Sequence, residues 1–288
     1  LHLARMRPRA DSHPLAAFSA GHLFRYSAVN NDIPLLDSGH SGMWYDPEHS
    51  GEGFIFEVLE NDRALVYWFT YHEDGRQRWL IGLGRVAGNR VVVDEMMDTH
   101  GGRFGKNFDP DDVVRTVRGS LSISFTDCNE ALVNYSIDKL GGSLPLKRLS
   151  HVYGHGCGKD DTAPALDLSG SWFDPKHDGE GFIIEQISAS KATTFYFTYD
   201  ESGNQAWLMN SGTLDGNRLS FPDILRPLGG GFGRSYDADK VELRSWGEVE
   251  FELDCAGGTA RYSSDDPAFS DGNQKLVPLT RLQGSGCG

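Results

Sequence analysis

The sequence predicts an all-β protein built from two tandem copies of one antiparallel unit. Three observations carry that prediction. From Ser41 onward the two halves align without a gap for more than 60 residues, with Trp44, Gly75 and Trp79 answered by Trp172, Gly203 and Trp207, each 128 positions later. Repetition on this scale marks a duplicated structural unit. Glycine is abundant, 35 of 288 residues, which suits many tight turns between short strands. Apolar residues alternate over short runs bounded by turn signals, and no convincing helical periodicity interrupts them.

Residues 1–40 belong to neither copy. Arg5, Arg7 and Arg9 make this start basic, and "AAFSAGHLFRYSAV" is apolar enough to dock as an extra strand or as an arm on a neighbouring molecule. A flexible leader is the other reading. The chain starts at Leu1 and shows no signal peptide, so we expect a targeting segment to have been removed.

The first unit, 41–158, reads as about eight strands near Met43–Tyr45, Gly53–Leu59, Ala64–Tyr71, Arg78–Arg85, Arg90–Met96, Val114–Phe125, Leu132–Ile137 and Leu144–Leu149. "ENDR", "EDG" and "AGN" supply turns between them. In the third strand Leu65, Tyr67, Phe69 and Tyr71 face one way and Val66, Trp68 and Thr70 the other. Both faces carry bulk, so the outer face is expected to pack on something. Short consecutive connections predict an up-and-down barrel, with a two-sheet sandwich as the alternative. Polar, proline-bearing residues 159–168 form the linker, and 169–288 the second unit.

Cys128, Cys157, Cys255 and Cys287 fall two to each half, and none sits in a CxxC pair. The simplest pairing is Cys128–Cys157 and Cys255–Cys287. Each bridge would close a loop of about 30 residues and contribute roughly 3 kcal/mol. Disulfides place the protein in the periplasm or outside the cell; four free buried thiols are the alternative. The net charge of -14 argues against nucleic acid or an anionic membrane surface as partner. No apolar run approaches the roughly 20 residues of a membrane span.

Two stretches then stand out: "WYDPEHSGEGF" (Trp44–Phe54), which returns as "WFDPKHDGEGF" (Trp172–Phe182), and "WFTYHEDGRQRW" (Trp68–Trp79), which returns as "YFTYDESGNQAW" (Tyr196–Trp207). The chain resembles uncharacterised secreted proteobacterial β-repeat proteins whose units open with W-[WYF]-[ND]-P-x-x-[SD]-G-x-G-[FLW]. The resemblance covers both units. It implies export and a β fold, and carries no activity or ligand.

The residues themselves allow several chemistries. Asp-Pro followed by glycines reads first as a corner that starts the fold. Asp46 with Glu52, and Asp174 with Glu180, are candidate catalytic pairs of the glycosidase kind. His49 and His177 lie midway between those carboxylates and could join them around a divalent metal, the one cofactor the residues suggest. Asp109, Asp111 and Asp112 could hold calcium, although the second copy reads "SYDADK" there. Trp68, Tyr71, Trp79, Phe104 and Phe108, with Tyr196, Tyr199, Trp207, Phe232 and Tyr236, are candidate ligand-binding rings, set against a role as core. No nucleophile-elbow, zincin, phosphate-loop or dinucleotide motif appears. The expectation is an exported, non-catalytic binding or assembly protein recognising glycan or another cell-surface component. A fibre subunit joined through residues 1–40, self-associating, and a hydrolase using the Asp/Glu pairs are the alternatives.

Overall fold

The computed structural model describes residues 35–158 and 161–287. The basic start of the N-terminal arm and the first two linker residues lie outside them. The described strands are β1 (Gly42–Tyr45), β2 (Gly53–Leu59), β3 (Arg63–Tyr71), β4 (Gln77–Ala87), β5 (Arg90–His100), β6 (Val114–Phe125), β7 (Glu130–Ile137) and β8 (Leu140–Arg148) in the first unit. The second holds β9 (Gly170–Phe173), β10 (Gly181–Ser188), β11 (Lys191–Tyr199), β12 (Gln205–Asp215), β13 (Arg218–Leu228), β14 (Glu242–Leu253), β15 (Gly258–Ser264) and β16 (Gly272–Pro278).

Each set pairs antiparallel in chain order and closes, β1 on β8 and β9 on β16. Closure settles barrel against sandwich and leaves no free edge. Register shifts fall at equivalent places in both copies, between β4 and β5 and again between β5 and β6, matched by β12–β13 and β13–β14. Such irregularities sharpen twist and bend a sheet toward closure. Cys128–Cys157 and Cys255–Cys287 are both formed, so each bridge stays within its own unit.

The barrel interiors are two separate cores. One holds Trp44, Phe54, Val66, Trp68 and Phe125; the other holds Trp172, Phe182, Tyr196, Trp246 and Phe251. A third core lies between the barrels. Leu65, Tyr67, Phe69, Tyr71 and Trp79 meet Phe195, Phe197, Tyr199 and Trp207 there. The outward face of the third strand therefore packs on its counterpart in the other copy, and the two barrels belong to one compact unit.

Equivalent contacts run in both directions across this joint, as in a twofold interface within one chain. The Trp79 indole donates to the Thr198 carbonyl at 3.2 Å, and the Trp207 indole to the Thr70 carbonyl at 3.1 Å. Gln77 donates to the Trp207 carbonyl, and Gln205 to that of Trp79. The glycine-rich loops cross over as well. Phe104, from the β5–β6 loop of the first unit, packs inside the second barrel, and Phe232 inside the first. A Cβ on Gly102 or Gly230 would lie 2.5 or 2.3 Å from the ring of Tyr199 or Tyr71. Only glycine lets these backbones lie so close to a ring.

Residues ahead of Ser41 also pack on the first barrel. Leu36 packs against its core and His40 is buried. The end of the linker is also built in: Leu168 is buried, and Asp167 pairs with buried His155 at 2.9 Å.

Candidate functional site

Asp46 and Asp174 act as caps. Each accepts from a backbone N–H two residues on, that of Glu48 or Lys176, and so starts the turn. Gly51 and Gly179 sit at φ of 112° and 132°, and beside them pack Val241 and Val113 of the opposite unit. The glutamates point inward. Glu52 accepts from His49 at 2.8 Å and from Thr70. Glu180 accepts from His177 and Gln274, each at 2.7 Å, from Thr198, and from the Tyr196 hydroxyl at 3.3 Å. The hydrogen bond to Glu52 holds the His49 imidazole above its ordinary pKa. Burial alone would lower that of His177, but Glu180 outweighs it and the ring is raised too.

His49 stacks on Tyr236 and His177 on Phe108, with centroids 4.6 and 4.7 Å apart. The repeated motif is thus a corner with an exposed tip, buried at its Asp and Glu, that also grips the other barrel. Its Asp, His and Glu do not gather three ligand atoms for a metal. Asp109 likewise caps Asp111. Among the described residues one group has the proximity a metal needs, His40 with Cys128 and Cys157, and those sulfurs are bonded to each other.

The ten candidate rings are placed as plainly. Trp68 and Tyr196 lie inside the barrels, Phe104 and Phe232 plug them, and Tyr71, Trp79, Tyr199 and Trp207 form the joint. Phe108 and Tyr236 are half-buried against it. A ring enclosed on both faces cannot stack on a ligand. Phe232, Trp207 and Trp79 also border open space, Phe232 at a polar cleft and the two tryptophans at apolar ones.

The polar cleft, of about 520 Å³, lies at the end of the first barrel and is lined by His72, Glu73, Asp74, Arg76, Arg78, Asp138, Leu140 and Phe232. A second polar hollow of about 230 Å³ shares His72 and Arg76 as walls. Arg78 lies over the Phe232 ring, 5.5 Å from its centroid, and pairs with Asp98 at 2.9 Å and Asp138 at 2.7 Å. Arg118 reaches Asp98 at 2.8 Å. Arg78 and Arg118 are thus matched by Asp98 and Asp138, while Glu73, Asp74 and Arg76 add two anions and one cation at the rim. No family model, curated protein or solved structure matches the chain.

The second barrel serves as an internal control. At the positions of Arg78, Asp98 and Arg118 it has Ala206, Arg226 and Trp246. A two-residue turn, Asp138-Lys139, joins β7 to β8, whereas residues 265–271 join β15 to β16. This longer loop carries Phe269, which packs 4.9 Å from Phe104 and 5.6 Å from Trp246. Arg226 covers Phe269 and pairs with Asp266. The place that is polar and open in one copy is filled with rings in the other. The signal was present in the sequence, in the positions where the repeats differ; similarity between them points only to what folds and joins both.

An apolar cleft of about 370 Å³ also runs along the joint, walled by Met43, Phe69, Trp207, Met209, Pro227 and Leu243. Its twin, about 160 Å³, is crossed by the Arg115–Asp178 ion pair.

Proposed function

We propose that the protein is an exported, non-catalytic binding protein that recognises a glycan at the open end of its first barrel. The observation that carries this reading is the polar cleft over Phe232, whose counterpart in the second barrel is filled by Phe269 and Trp246. Carboxylates, guanidinium groups and an imidazole offer the mixed acceptors and donors that sugar hydroxyls need. Because Arg78 and Arg118 are already neutralised by Asp98 and Asp138, the cleft favours an uncharged polyol over an ion. Two intact disulfides support an oxidising compartment, and no helix among the described residues is long and apolar enough to cross a membrane.

The test is a glycan array probed with the full chain, followed by calorimetry on the best oligosaccharide. Asp74 and Arg76 are exposed at the rim, so the Asp74→Ala, Arg76→Ala double variant keeps the fold. It is expected to bind at least about tenfold more weakly, the loss of one or two good hydrogen bonds. Binding to no glycan, or turnover of a small substrate, would refute the reading.

A further inference from the structure

The two disulfides are set in different surroundings. In the first unit, His40 is fully buried beside the bridge, with Nε2 3.2 Å from the Sγ of Cys157. Its Nδ1 lies 2.9 Å from the carboxylate of Asp37, and the other Asp37 oxygen accepts from the Gly158 N–H. The same sulfur lies 3.7 Å from Nδ1, against the ring rather than beyond it, and the Asp37 N–H also reaches Nδ1 at 3.2 Å, so Asp37 and Cys157 both bear on one imidazole, whose pKa burial lowers. Arg148 adds positive charge, donating to the Cys128 carbonyl at 2.8 Å.

The second unit shows that the fold does not need this histidine. Leu168 occupies the equivalent place, accepting from the Trp172 indole as the His40 carbonyl accepts from that of Trp44. The arginine is kept, since Arg281 donates to the Cys255 carbonyl. All four cysteines are half-buried, so exposure alone does not separate the bridges. What separates them is the Asp–His pair.

We propose that Cys128–Cys157 is a thiol-exchange site, in which His40, positioned by Asp37, stabilises the Cys157 sulfur as the leaving group when an incoming thiol attacks Cys128. The incoming thiolate bonds to the Sγ of Cys128, and the Cys128–Cys157 bond breaks. Its electron pair leaves on the Sγ of Cys157 as a thiolate; the charge that appears 3.2 Å from Nε2 draws a proton from solvent onto the imidazole, and the thiolate and Asp37 hold the resulting imidazolium between them. A second thiol of the same dithiol reductant then attacks the mixed disulfide, releasing Cys128 as a thiol and leaving the reductant oxidised. Exchange is faster when the departing thiolate is stabilised, and a neighbouring imidazolium does that. Among the described residues Cys255–Cys287 has no such group, and it is the slow bridge.

The experiment treats the folded full chain with dithiothreitol, quenches with an alkylating agent at intervals, and maps labelled cysteines by peptide mass spectrometry. Cys128 and Cys157 are expected to be labelled about tenfold faster than Cys255 and Cys287. His40→Leu, the residue the second unit uses, should bring the two rates together. Asp37→Asn provides the same comparison if His40→Leu does not fold, which a thermal melt of each variant decides. Equal rates in the native chain, or a ratio that survives substitution, would overturn the proposal.

Discussion

Glu52 and Glu180 occupy the same position in two copies of one motif, yet their surroundings have diverged. Glu180 is held by four side chains, His177, Thr198, Tyr196 and Gln274, whereas Glu52 has His49 and Thr70. Trp68 stands where Tyr196 donates in the other barrel. A buried acceptor replaced by an amide leaves donors facing donors, at a cost of about 1–3 kcal/mol. Glu180→Gln is therefore expected to lower stability by about that amount and by more than Glu52→Gln does, measured by chemical denaturation. A Glu180→Gln variant as stable as the native chain would contradict the structural role assigned here.

The loops that cross between barrels act at a distance from their own strands. Phe104 belongs to the first repeat in sequence and to the second barrel in packing. Removing such a ring from a close-packed core costs about 3–5 kcal/mol. In Phe104→Ala the amides that lose hydrogen-exchange protection should be those of β11, β14 and β15, whose rings it touches, with Phe232→Ala exposing the first barrel instead. Protection lost mainly within each ring's own repeat would show that the exchange of plugs is not energetically significant.

This crossing was not legible in the sequence. Strand number, the two-faced third strand and the pairing of Cys128 with Cys157 followed from alternation, repeat and spacing, which are local. Whether "GRFG" covers its own barrel or its neighbour's depends on the joint, which no local pattern encodes. The packing of residues ahead of Ser41 had the same cause: His40 and Leu36 lie before the tryptophan that both repeats share and show no strand pattern. The cleft shows in the sequence only as differences between the repeats, because Arg78, Asp98, Arg118 and Asp138 are far apart in the chain and meet only on closure.

The joint also holds two carboxyls in an unusual state. Glu57 and Glu185 are equivalent in the two copies and almost fully buried, at 2% and 3% exposure. Both border one small void between the barrels. Glu57 accepts from Ser171 and Thr280, and Glu185 from Ser150, while the second oxygen of Glu185 has no partner. The other titratable groups near them are the Tyr67 hydroxyl, which meets Ser171, and the Arg148 guanidinium, whose hydrogen bonds go to backbone carbonyls. Burial is the largest influence and pushes each carboxyl from 4.5 up to about 7.

A carboxyl whose folded pKa exceeds its unfolded one binds more protons in the native state, so stability falls as pH rises. The loss begins near 4.5 and is complete above about 7, and ionising the first of the pair costs on the order of 3 kcal/mol. His49 and His177, raised by their glutamates, act in the same direction as pH passes their folded values. The chain should therefore melt in one transition, because the barrels share a core, and at a lower temperature at pH 8 than at pH 5. Glu57→Gln with Glu185→Gln keeps the hydrogen-bond acceptor and removes the charge, and should flatten most of that slope. If the double variant melts with the native pH dependence, the joint does not carry the titration.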